Sequence, residues 1–297
     1  MASNRMADKQ PLFAFFGTPR FAVQVLCALE DSGLLPALVI TAPEKPAGRG
    51  QKLTPSPAKE WAEERGIDVM TPATLRDEIL VAELANTEWD VFVVAAYGKL
   101  IPNSILDIPR KGSLNVHPSL LPKFRGPSPV LSAILADERT TGVTIMEVAE
   151  QMDAGPIVAQ ARVEVAPEDW PPKGSVFLDL LATEGGNLLA EVMRPWIEGE
   201  IKPVVQDESQ ATYTKKFVDM DARVNLSGDP WKNFLTIQAF DAKAFDLSQR
   251  AYFISDKGKR IIITDATYKD GVLEILKVIP EGKKEISYKE FVRNGAK

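Results

Sequence analysis

Residues 12–16 (Leu-Phe-Ala-Phe-Phe) form an unbroken apolar run with no polar alternation. A strand of that composition has to be covered on both faces, which is the condition of a parallel sheet flanked by helices. Gly17 ends the run, and Pro19 stands where a helix can begin. Phe21, Ala22, Val25, Leu26 and Leu29 then recur at helical spacing up to Gly33, and residues 37–41 are apolar again. This strand–helix–strand opening predicts an α/β fold built on a Rossmann-like, doubly wound, mostly parallel sheet. The turn reads Gly17-Thr18-Pro19 and lacks the Gly-x-Gly-x-x-Gly that cradles a pyrophosphate, so a dinucleotide cofactor is rejected.

The same reading extends down the chain. Residues 42–57 are a long Pro- and Gly-rich loop in which Gly48 and Gly50 bracket Arg49, with Lys45 and Lys52 nearby. Loops of more than ~12 residues are usually functional or disordered. Helices are predicted over 57–66 and 75–85, strands over 67–70, 90–95 and 113–116, and a further helix over 128–136. Residues 141–148 and 157–165 read as a hairpin, and 176–197 as one long amphipathic helix weakened at Gly185-Gly186. Beyond a polar linker the tail turns β-rich, with strands predicted over 250–255, 260–264, 267–269 and 273–278. That pattern suggests a small barrel of the oligonucleotide-binding (OB-like) type, shortened in its middle. The expected organisation is therefore a catalytic domain over 1–206 and an OB-like domain over 207–297.

The chemistry concentrates between Gly112 and Pro129, where a short strand breaks into a loop held by Pro118, Pro122, Pro127 and Pro129. Asn115 and His117 are two residues apart, so on an extended chain their side chains share one face. His117 is the only histidine and stands at the carboxyl end of a predicted strand, where open α/β sheets bind ligands. A solitary histidine there can equally be a ring satisfying local backbone, and Asn115 a turn former. Together they suit acyl transfer, which needs a donor to polarise a carbonyl and a group that exchanges a proton. Asp153 lies in Gln-Met-Asp-Ala-Gly-Pro, a turn composition that could also bring a carboxylate back to orient the imidazole.

Composition excludes several classes. Cys27 is alone, so no disulfide forms within the chain and no thiolate metal site can be built; no metal is expected, and a reducing cytoplasm suits the chain. The first ten residues have no apolar core, and no run approaches the ~20 residues that span a bilayer, so neither signal peptide nor membrane anchor is expected. The net charge of −6 argues against indiscriminate coating of nucleic acid. Residues 211–297 nevertheless carry 16 Lys and Arg against 12 Asp and Glu, a net +4 that can meet a phosphate backbone locally.

Asn115-Val116-His117, Ser119-Leu120-Leu121-Pro122, Arg125-Gly126, the block Gly-Val-Thr-Ile-Met from Gly142, and Met152-Asp153-Ala154-Gly155 together resemble the signature of the folate-dependent formyltransferases. The resemblance implies transfer of a formyl group from 10-formyltetrahydrofolate to an amine, with Asn115, His117 and Asp153 catalytic. It further implies that Ser119, Leu120, Leu121 and Pro122 wall the folate site. The stretch from Lys45 to Pro57 is similar to an insertion found in the members that act on initiator methionyl-tRNA, which implies tRNA contacts by Lys45, Arg49 and Lys52. A monomer is expected. The competing expectations are a formyltransferase for a small amine such as an amino-sugar nucleotide, and a non-catalytic RNA-binding module.

Overall fold

In a computed structural model, residues 10–47, 52–241 and 249–293 are described. The elements run β1 (Phe13–Gly17), α1 (Arg20–Asp31), β2 (Leu38–Ile40), β3 (Lys45–Ala47), β4 (Lys52–Thr54), α2 (Pro57–Glu63), β5 (Asp68–Met70), α3 (Glu78–Ala85), β6 (Val91–Ala95) and α4 (Asn103–Leu106). They continue with β7 (Ser113–His117), α5 (Pro129–Leu135), β8 (Thr141–Glu147), β9 (Ile157–Val163), α6 (Gly174–Glu198), α7 (Pro230–Ala239), β10 (Tyr252–Ile254), β11 (Arg260–Lys269), β12 (Val272–Pro280), β13 (Ile286–Ser287) and α8 (Tyr288–Arg293). No described helix is long and apolar enough to cross a membrane.

Two compact units result. The first comprises the described residues up to Arg125, Gly142–Val163 and Asp179–Thr212. Its sheet has seven strands in the order β5-β2-β1-β6-β7-β8-β9, parallel from β5 to β7 and antiparallel between β7 and β8. Phe13, Phe15 and Phe16 of β1 are fully buried, as a central parallel strand requires. Phe16 and Phe92 join Leu80, Leu84, Trp89 and Ile105 in a cluster beneath α3 and α4. Chain order reverses at β1, which has β2 on one side and β6 on the other; crevices at such switch points are where ligands bind.

The glycine pair in α6 is a packing device. A Cβ on Gly185 would lie 2.5 Å from Val116 Cγ1 of β7, and one on Gly186 would lie 2.6 Å from Ala28 Cβ and 2.9 Å from the Val25 carbonyl of α1. The missing side chains let α6 seat directly on sheet and helix.

The second unit comprises Gly126–Thr141, Glu164–Leu178 and the described residues from Tyr213 onward. Its sheet is a four-stranded antiparallel meander, β10-β11-β12-β13, open among the described residues. Strand β11 is continuous where two strands were expected, with register shifts around Asp265. The helix α7 was not anticipated; Asp229 caps it by accepting from the Trp231 and Lys232 amides, with Pro230 at its first turn. One carboxylate also ties distant parts of this unit together. Asp137 accepts the indole N–H of Trp170 (2.6 Å) and of Trp231 (3.0 Å).

Candidate active site

Strand alternation decides which groups face the site. Val116 points to α6, so Asn115 and His117 project from the opposite face, beside their cross-strand partners Met146 and Thr144 on β8. Asn115 is half-buried, and its amide has no hydrogen-bond partner among the described residues.

His117 is only 4% exposed. Its Nε2 lies 3.0 Å from the Phe124 carbonyl oxygen. A carbonyl can only accept, so Nε2 carries the proton and Nδ1 is turned away from that carbonyl. Nδ1 stands 3.7 Å from Asp153 Oδ1, within ion-pairing range and longer than an ordinary hydrogen bond. The structure thus brings His117 and Asp153 together across 36 positions of sequence. Asp153 itself has φ +54, a left-handed conformation that aspartate tolerates better than most residues.

The loop carrying Asp153 is held by backbone. Glu147 N donates to the Pro156 carbonyl (2.9 Å), and Gly155 passes so close that a Cβ would sit 1.8 Å from the Glu147 carbonyl oxygen. From the far side, Gln206 Nε2 donates to the carbonyls of Asp153 (2.9 Å) and Gly155 (2.7 Å). Gln206 Oε1 in turn accepts from Arg125 Nε (3.0 Å) and Nη2 (2.8 Å). Arg125 is fully buried, and Glu208 neutralises it in a two-pronged pair at 2.7 and 3.0 Å. The Arg125 hydrogen bonds hold the Glu208 carboxyl below its ordinary 4.5. No sequence signal marks Gln206, which lies in what reads as a polar linker.

Ser119, Leu120, Leu121 and Pro122 follow directly on β7. Ser119 and Leu121 are buried, while Leu120 and Pro122 keep partial exposure. Thr144 pins the loop: its hydroxyl donates to the Ser119 carbonyl (2.7 Å) and accepts from Leu121 N (3.1 Å) and Gln160 Nε2 (2.9 Å). Gln160 also donates to the Leu121 carbonyl (2.8 Å). The loop is therefore a rigid shelf.

The expected long loop after β2 is in part a hairpin, because β3 and β4 pair antiparallel. Lys45 is exposed on β3 and Lys52 belongs to β4, whereas Arg49 lies outside the described residues. The base of the hairpin is anchored by Thr41 and Ser56, whose hydroxyls share a 2.7 Å hydrogen bond, and by Lys59 paired with Glu44 at 2.7 Å. Tyr97, just past β6, buries a hydroxyl without a partner among the described residues. Burial pushes that phenol up to about 12, which keeps it neutral at physiological pH. No cluster of three or more His, Cys, Asp or Glu able to hold a metal occurs among the described residues.

The structure thus sets the Asn115 amide on the same strand face as His117, with the Asp153 carboxylate 3.7 Å from that ring. A profile of the formyl transferase family matches residues 10–173. The chain belongs to the formyl transferase family. Methionyl-tRNA formyltransferase of Methylococcus capsulatus is 36% identical over 299 residues, covering 94% of this chain and 95% of the relative. The enzyme of the same name from Chloroflexus aggregans is 46% identical over 211 residues, covering 71% of this chain and 67% of the relative. Among solved structures, the methionyl-tRNA formyltransferase of Clostridium thermocellum superposes with a TM-score of 0.61 at 13% identity, over 92% of this chain and 99% of that one. A sugar N-formyltransferase from Shewanella gives 0.60 at 17%, over 88% and 98%, so formyltransferases named for different acceptors share this fold.

Proposed function

We propose that this chain transfers the formyl group of 10-formyltetrahydrofolate to the α-amine of methionine on initiator tRNA, giving N-formylmethionyl-tRNA for translation initiation in the cytoplasm. The observation that carries the reading is the His117–Asp153 pair on the strand face shared by the half-buried Asn115, in a chain that aligns over 94% of its length with a methionyl-tRNA formyltransferase. The donor, when bound, supplies an activated formyl carbonyl. Asn115 Nδ2 donates to the oxygen of that carbonyl as negative charge grows there. His117 holds Nε2–H on the Phe124 carbonyl, so any proton it gives to or takes from the reacting centre passes through Nδ1. Asp153 faces Nδ1, stabilises the ring as a cation and helps take the amine proton, through the ring or through water. As the bond from the formyl carbon to N10 breaks, a proton is returned to that nitrogen and tetrahydrofolate leaves. The chemistry needs no metal.

The shelf of Ser119, Leu120, Leu121 and Pro122 walls the folate, with Leu120 and Pro122 offering the accessible apolar surface. Lys45 of β3, Lys52 of β4 and Arg49, which falls between them in sequence, meet tRNA phosphates. The test compares formyl transfer from 10-formyltetrahydrofolate to charged initiator tRNA, to free amines and to amino-sugar nucleotides. Formylation of the charged tRNA in strong preference is expected. Preference for an amino-sugar nucleotide, or tRNA binding without turnover, overturns the proposal.

A further inference from the structure

Phe124 has φ +61, a conformation that bulky side chains rarely adopt. Its carbonyl is the group that holds His117 Nε2. A strained residue persists only when its surroundings impose it, and here one residue far along the chain supplies three of the hydrogen bonds around it. Thr212 accepts the Phe124 amide on Oγ1 (2.8 Å), accepts the Arg125 amide on its carbonyl (2.9 Å) and donates its own amide to the Pro122 carbonyl (3.2 Å). Six residues earlier, Gln206 fixes the carbonyls of Asp153 and Gly155. Buried Arg125 joins the two ends, since its guanidinium binds Gln206 and its amide binds Thr212.

We infer that residues 206–212 form a strap that sets the imidazole tautomer from one side and the carboxylate loop from the other, with Gln206 and Thr212 as positioning residues for the His117–Asp153 pair. Neither touches the reacting atoms. Gln206 acts through the backbone of Asp153, and Thr212 acts through the strained carbonyl of Phe124. The role in turnover rests on the formyl-transfer reading above; the effect on the ring does not.

The single histidine makes the ring directly observable. In the full-length chain labelled with 15N-histidine, the two ring nitrogens report tautomer and protonation without any substrate. Wild type is expected to show the Nε2–H tautomer when neutral. Thr212→Val, which removes the Oγ1 acceptor, and Gln206→Glu, which replaces the Nε2 donor by an acceptor, are expected to give mixed tautomers. In the transfer assay the same variants should lose turnover by about tenfold or more, with KM for the formyl donor within about twofold. Thr212→Ser, which keeps the hydroxyl, should recover most of what Thr212→Val loses. Variant spectra identical to wild type, or a drop in melting temperature with unchanged tautomer and turnover, overturn the strap. Wild type that shows the expected ring signals and variant shifts but no formyl transfer would sink the functional reading and leave the positioning intact.

Discussion

At the scale of single residues, the shared face of the two proposed catalytic side chains on β7 was legible because a strand has period two. Asn115 and His117 had to share a side, and the packing of Val116 under Gly185 confirms which side. Asn115→Ala should lower kcat by roughly 10²–10³, the loss typical of one oxyanion donor, and leave tRNA affinity nearly intact; steady-state kinetics and a separate binding titration check both. Arg125 stood out as part of a motif, but its role and that of Gln206 were not legible, since their partners lie 81 and 53 positions away in the chain. Nothing in a polar linker announces a buried amide. Glu208 gives the Arg125 network a pH signature. Its carboxyl is held below 4.5 by the Arg125 hydrogen bonds, so its contribution to stability is present above 4.5 and is lost as pH falls through the lowered value. The gap in melting temperature between wild type and Glu208→Gln should therefore be widest above 4.5 and close on further acidification.

Elements were legible where burial is one-sided or complete over a strand length, and obscure elsewhere. Strands β1 and β6 announce themselves as unbroken apolar runs. Helix α7 does not, because Asn233, Phe234, Leu235, Ile237, Gln238 and Ala239 are all buried and leave no stripe to read. Its capping pair Asp229-Pro230 was the available signal. Strand β11 reads as two because Asp265 interrupts it; in the fold the register shifts there and the strand carries on. The pair Gly185-Gly186 reads as weakness in a helix and is instead the condition of its packing. Gly186→Ala should destabilise the first unit by about 1–3 kcal/mol, since the new methyl meets backbone and another methyl that cannot easily yield. Chemical denaturation would check this, and an unchanged midpoint would mean that α6 shifts freely.

For the whole molecule, chain order and spatial order part company. The unit that holds the C-terminal sheet also takes in Gly126–Thr141 and Glu164–Leu178, and no linear boundary in the sequence hints at that. Composition marks where a linker runs but not which segments return to pack beyond it. Asp137, Trp170 and Trp231 come from three separate stretches of that unit. Asp137→Ala leaves two indole donors without their acceptor and should destabilise the unit by about 1–3 kcal/mol for each donor that finds no water; thermal unfolding followed by circular dichroism would measure it. The same carboxylate gives the chain an optical property. Of its five tryptophans, only Trp170 and Trp231 belong to the second unit, and both emit from indoles bonded to one charged oxygen pair. With phenylalanine at positions 61, 89 and 196, fluorescence would come from that unit alone. Its emission wavelength would then follow one half of the protein as it opens, while far-ultraviolet dichroism followed both.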